Sequence, residues 1–197
     1  NNSRYYYNSS MFIVPQKKYE LYSKIHLVPF AEYDLFPTIF HPLTKLNINI
    51  DRGNFKSGTN YKLFNYENLL FSNLICYESS IPGISRTFVS KGAEFLVIQA
   101  NDGWLGSSFG PYQHFELARL RAIENRIPVV RCANTGISGI INFDGFIKAK
   151  VKLNEEKIIF ESLNTNKNGS FYTKYGDIFA VIISIIIIIV ILYKCRK

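Results

Sequence analysis

Cys76, Lys24 and a few carboxylates are the residues in this chain whose types and placing could support covalent chemistry. Cys76 ends the largely apolar run of residues 68–76, which is interrupted by Ser72 and Asn73, and Tyr77 and Glu78 follow it directly. A cysteine inside a core is inert packing. One placed where a strand stops and polar groups begin can be a nucleophile, if a base takes its proton and a cation favours the thiolate. The stretch YSKIHLVPFAEY supplies a cation in Lys24 and a carboxylate in Glu32, on either side of an apolar LVPF core. Each segment also has a plain structural reading: a packing cysteine in one case, a surface Lys and Glu flanking a buried loop in the other. A third segment, NDGWLG followed by GPYQH, is a glycine-rich loop between an apolar run and a helix. Loops of that kind sit at the strand ends where α/β sheets bind ligands. The spacing of Gly103, Gly106 and Gly110 fits neither a dinucleotide motif nor a P-loop, which excludes a nucleotide site. His114, at the start of the helix, reads as a hydrogen-bonded packing residue.

The elements that must position these groups alternate between strands and helices. Residues 10–14 read as a short strand closed by Pro15, residues 68–76 as the strand leading to Cys76, and residues 94–100 as a strand buried on both faces. Residues 111–126 have helical spacing, with Ala118 and Ala122 four apart and Pro111 suited to a first turn. Residues 128–133 read as the next strand, with Cys132 buried in it and without a role. Residues 137–143 and 147–153 form a hairpin around Asp144-Gly145. Residues 164–170 read as a polar linker. Residues 178–192, IFAVIISIIIIIVIL, contain Ser184 as their one polar member and lead to Lys194, Arg196 and Lys197. Extended from Tyr175 to Tyr193, the helix would be about 28 Å long, close to the hydrocarbon thickness of a bilayer. The basic cluster places the C-terminus on the cytoplasmic side and the preceding domain outside.

Composition narrows the classes. The chain has 197 residues, 47% of them hydrophobic, which argues for one well-packed domain rather than disorder. The net charge of +8 comes from scattered lysines with no basic block or arginine stripe, so no nucleic-acid partner is expected. Three cysteines without CxxC spacing or a histidine cluster give neither a disulfide framework nor a metal site. The opening NNSRYYYNSS lacks the features of a signal peptide.

Taken in order, YYNSSMFIV, YSKIHLVPFAEY, LICYES, the long stretch from QANDGWLG to SGIIN, and the terminal apolar helix resemble the nitrilase, or carbon–nitrogen hydrolase, superfamily. Within it they resemble the apolipoprotein N-acyltransferases most closely. The resemblance implies an α/β fold, the α-β-β-α sandwich of nitrilases. It divides the chain into a catalytic domain over residues 1–171 with its N-terminal part missing, a transmembrane helix over 172–193, and a cytoplasmic tail over 194–197. It implies a Glu–Lys–Cys triad in which Cys76 is the nucleophile and Lys24 the lysine, with Glu32, Tyr77, Glu78 and Trp104 supporting the site. The triad's glutamate base lies well upstream of the lysine in that family, and nothing before Lys24 matches it. The expectation is therefore a C-terminal fragment, inactive alone, of an enzyme of the bacterial inner membrane. Its acyl donor would be a phospholipid, and its acceptor the N-terminal diacylglyceryl-cysteine of a lipoprotein. No cofactor is implied. The alternatives are an amide hydrolase with the same triad, or an inactive membrane-anchored remnant.

Overall fold

The computed structural model describes residues 5–33 and 55–195. Two sheets form. Strands β1 (Ser9–Phe12) and β2 (Glu20–Ser23) pair antiparallel, with Ser10 opposite Tyr22 and Phe12 opposite Glu20. Alternation turns Phe12 and Tyr22 inward and leaves Met11 and Leu21 exposed. Strands β3 (Phe64–Tyr66), β4 (Leu69–Ile75), β5 (Phe95–Ala100), β6 (Val129–Ala133), β7 (Ser138–Ile141) and β8 (Ile147–Val151) form a six-stranded sheet in chain order. The β4–β5 and β5–β6 pairs are parallel, and the outer pairs are antiparallel.

Parallel neighbours need crossover connections, and two helices provide them. Helix α1 (Pro82–Ser90) joins β4 to β5, and α2 (Gly110–Asn125) joins β5 to β6. Ile84 and Phe88 of α1, with Phe115, Ala118 and Ala122 of α2, share one core with Leu74, Leu96, Ile98, Val129 and Ile141 of the sheet. The reading of the sequence did not include α1, nor β2 and β3. In α1, proline fits the first helical turn, and Ile84 and Phe88 are spaced for one buried face. The β7–β8 hairpin turns at Asp144-Gly145, where Gly145 has φ +84 and Asp144 Oδ1 accepts the Phe146 N–H at 2.9 Å.

Among the described residues, Phe12 of β1 packs on the other face of the large sheet. The Phe12 ring lies 5.3 Å from that of Phe64 and 5.2 Å from that of Phe71, which stacks on Phe95 at 5.0 Å. Two expectations fail on this face. Strand β5 is not buried on both sides: Leu96 and Ile98 are buried, whereas Phe95 and Val97 are half-buried and Gln99 is exposed. Cys132, paired with Gln99 on that side, is exposed and not a core residue.

Residues 164–170 do more than link. Asn166 donates to the Arg126 carbonyl, and Ser170 donates to that of Glu124 and N-caps α3 (Phe171–Tyr175). Thr173 donates to Asn125 Oδ1 at 3.2 Å. Arg86 of α1 donates at 3.1 Å to the Tyr172 carbonyl, which also accepts the Gly176 N–H at 2.7 Å, and at 3.3 Å to the Lys174 carbonyl at the helix C-terminus. Helix α4 (Ile178–Cys195) follows after two residues and has none of its side chains buried. It is about 27 Å long and apolar, enough to cross a membrane. The Ser184 hydroxyl is satisfied within the helix by the Ala180 carbonyl at 2.8 Å.

Candidate active site

Cys76 stands at the junction where β4 ends and a 3-10 turn over Cys76–Ser80 begins. Ile75 is extended, but Cys76 has φ +51, in the left-handed region. For a residue with a Cβ this costs about 1–3 kcal/mol and persists only where surrounding contacts over-determine it. Those contacts come from both sides of the residue.

On the N-terminal side the organiser is Glu78, which is wholly buried. Its Oε2 accepts the Ile75 N–H at 2.8 Å. Its Oε1 accepts the Tyr22 hydroxyl at 2.7 Å, the Ile25 N–H at 2.7 Å and the His26 N–H at 3.2 Å. One carboxylate thus ties the turn that carries Cys76 to the segment that carries Lys24. Burial, and then the Glu78 charge, push the Tyr22 phenol far above its ordinary value, so Tyr22 serves as a fixed donor. On the C-terminal side, Ser79 donates to the Cys76 carbonyl at 2.8 Å. His114 Nε2 lies 2.8 Å from the Ser79 hydroxyl and 3.2 Å from the same carbonyl. His114 Nδ1 is 2.7 Å from Asp102 Oδ1, and Arg131 donates to Asp102 Oδ2 at 2.7 Å and to the Ile137 carbonyl at 3.1 Å. Burial alone would raise the Asp102 carboxyl, but the His114 hydrogen bond and the Arg131 charge overrule it and hold it below its ordinary value. Burial also lowers the Arg131 guanidinium, against the pull of Asp102. Gly136 leaves room for this group: a Cβ there would fall 2.0 Å from Asp102 Oδ2.

Lys24 follows β2 and is 1% exposed. Its Nζ lies 2.7 Å from Glu32 Oε2. Glu32 also accepts the Val28 N–H at 2.7 Å and the Asn8 amide at 2.7 Å. Burial pushes its carboxyl up, and the bonds from Lys24, Val28 and Asn8 outweigh that and hold it low. The pairing fixes the Lys24 side chain in place.

These groups meet in a cavity of about 680 Å³. Cys76, Tyr77, Lys24 and Glu32 line it, with apolar walls that include Val28 and Leu117. Trp104 lies at its edge and is 70% exposed. The Cys76 thiol reaches the Asn101 carbonyl at 3.8 Å. Glu78, flagged from sequence beside these residues, is not among the lining residues and acts from behind the turn. The acidic groups among the described lining residues are Glu32 and Asp102, and both are engaged as above. Among the described residues no group of three His, Cys, Asp or Glu side chains could hold a metal. Sequence reasoning missed Asn8, Ser79 and the Asp102–Arg131 pair. A signal was present for Arg131: an arginine inside the apolar run PVVRCA must find a buried counter-charge.

Residues 1–171 match the carbon-nitrogen hydrolase family. The apolipoprotein N-acyltransferase of Geobacter metallireducens is 39% identical over 157 residues, covering 80% of this chain and 30% of that protein. The apolipoprotein N-acyltransferase of Rickettsia bellii is 42% identical over 173 residues, covering 86% and 34%. That of Rickettsia typhi is 37% identical over 193 residues, covering 94% and 37%. The chain therefore spans about a third of the length of these relatives. Among solved structures, a carbon-nitrogen hydrolase from Helicobacter pylori superposes with a TM-score of 0.61 at 17% identity, over 77% of this chain and 55% of the other. Saccharomyces cerevisiae Nit3, of the nitrilase superfamily, does so with 0.55 at 22% identity, over 76% and 51%. The shared architecture is the nitrilase-like α/β fold.

Proposed function

The chain belongs to the carbon–nitrogen hydrolase family, and from that premise we propose that it carries the nucleophile and lysine of an apolipoprotein N-acyltransferase. The observation that supports this most is one cavity lined both by a thiol on a strained backbone and by a buried lysine paired with Glu32.

In the proposed reaction Cys76 gives its proton to a base, and the thiolate attacks an ester carbonyl of a phospholipid. Negative charge moves onto the carbonyl oxygen, where the Lys24 ammonium and the Tyr77 N–H hold it. The ester C–O bond breaks, and the lyso-phospholipid leaves with the proton from the base. The acyl group remains on Cys76 as a thioester. The α-amine of a lipoprotein's diacylglyceryl-cysteine then attacks the thioester, the C–S bond breaks, and an amide forms with regeneration of the thiol. Glu32 holds Lys24 in position. Because Glu32 and Asp102 are both committed to partners, the base in this scheme is a carboxylate outside the described residues. No cofactor takes part.

Helix α4 favours transfer over hydrolysis, since both substrates are lipids and an amidase acting on soluble amides gains nothing from an apolar anchor. In this reading α4 spans the bacterial inner membrane, with Lys194, Arg196 and Lys197 cytoplasmic and the cavity on the other side. The test uses membranes containing the full-length gene product, phospholipid and a diacylglyceryl peptide, with a Cys76→Ala control. Mass spectrometry should find an acyl adduct on Cys76 that is absent in the control, and N-acylated peptide. Free acid without N-acyl peptide would assign the chain to hydrolysis. No adduct on folded, inserted protein would leave an inactive remnant.

A further inference from the structure

We propose that His114 and Ser79 are positioning residues for Cys76, holding its carbonyl so that the left-handed backbone aims the thiol into the cavity. The proposal rests on Cys76 being the nucleophile.

Among the described residues the thiol's one hydrogen bond is long, to the Asn101 carbonyl at 3.8 Å. The thiol's direction is set by the backbone at Cys76, where φ is +51. An unrestrained residue with a side chain would relax out of that region and swing both its carbonyl and its Cβ. The peptide before Cys76 is held by Glu78 through the Ile75 N–H. The carbonyl after it is held by Ser79 at 2.8 Å, with His114 Nε2 behind both at 2.8 and 3.2 Å. His114 is itself fixed by Asp102, and Asp102 by Arg131. Ser79, His114, Asp102 and Arg131 come from the turn after β4, from α2, from the loop after β5 and from β6. A chain of buried polar groups drawn from four elements and ending on one carbonyl is far more than packing His114 would require.

The experiment uses the full chain in detergent micelles and measures iodoacetamide alkylation of each cysteine by peptide mass mapping. Cys132 and Cys195, both exposed, are internal references. Ser79→Ala and His114→Gln should each slow Cys76 by about tenfold, the effect of one buried hydrogen bond, with the two reference rates unchanged. The double variant should be no slower than the slower single one, within about twofold, because both residues act through one carbonyl. Ser79→Thr, which keeps the hydroxyl, should restore the rate. A wild-type Cys76 rate in both single variants overturns the proposal. So does a rate that rises toward that of Cys132, which would assign both residues to folding alone. Alkylation needs no acyl donor, and the buffer takes the thiol proton in place of an enzymic base, so failure of acyl transfer in the parent enzyme leaves this result standing, and the reverse.

Discussion

Glu78→Gln separates the charge of the buried carboxylate from its shape. The amide keeps the volume but turns one acceptor oxygen into a donor. Oε1 serves three donors and Oε2 one, so the amide oxygen takes the Oε1 place and its NH₂ faces the Ile75 N–H. That N–H is left buried without an acceptor, at about 1–3 kcal/mol. The three remaining bonds fall from charge-assisted to neutral, about 1 kcal/mol each. A neutral amide is less costly to bury than a carboxylate, which offsets part of the loss and leaves about 2–4 kcal/mol net. For a chain of this size that is a fall in melting temperature of about 5–15 °C. The assay is near-ultraviolet circular dichroism in micelles at one scan rate, where the aromatic signal reports the folded domain rather than α4. Glu20→Gln is the control, since Glu20 and Lys62 pair while partly exposed and should shift the midpoint by about 2 °C at most. A Glu78→Gln midpoint as close to wild type as that would refute the organising role of the carboxylate, and an equal fall in the control would refute the reasoning from burial.

Further outcomes follow from other parts of the structure. Glu32 and Asp102 have folded values held below their ordinary 4.5 and 3.8, so their stabilisation is complete above those values and is lost as the pH falls through the lower folded ones. Glu32→Gln should therefore flatten the acid limb of the urea midpoint against pH, and a limb parallel to wild type would count against an ionised Glu32. Burial raises Glu124, so its contribution runs the other way and weakens folding as the pH rises past 4.5. Gly136→Ala puts a methyl 2.0 Å from Asp102 Oδ2 and should cost about 1–3 kcal/mol in urea unfolding; no loss would mean that Asp102 can move freely. Arg86→Ala removes the caps on Tyr172 and Lys174 and should speed hydrogen exchange at Lys174 and Gly176 while leaving β5 amides protected.

Strands β1 and β4–β8 and helix α2 can be read from sequence to within a few residues, because apolar runs, Pro15, Pro111 and Asp144-Gly145 mark them locally; the short β2 and β3 were not read. What covers a strand cannot be read that way. An apolar run such as FLVIQA states that burial is favourable, not which face obtains it, and so β5 and Cys132 were misjudged on the open side of the sheet. The segments carrying Cys76, Lys24 and Glu32 stand out by residue type and by where they fall in the apolar pattern. The groups that aim them do not. Asp102, His114 and Arg131 meet only because the β5–α2–β6 crossover brings three stretches to one sheet end, and Glu78 sits two residues from Cys76 yet is not among the residues lining the cavity.

The pinning of α3 by Arg86, Ser170 and Thr173, with two residues between it and α4, has a kinetic consequence. With α4 in a bilayer, so short a coupling leaves the domain little freedom to swivel, and the cavity mouth travels at a set height above the lipid. A partner anchored in the same leaflet then meets it by lateral drift, a search over area instead of volume. Encounter rates follow surface density and membrane fluidity, and hardly respond to the bulk concentration of the partner.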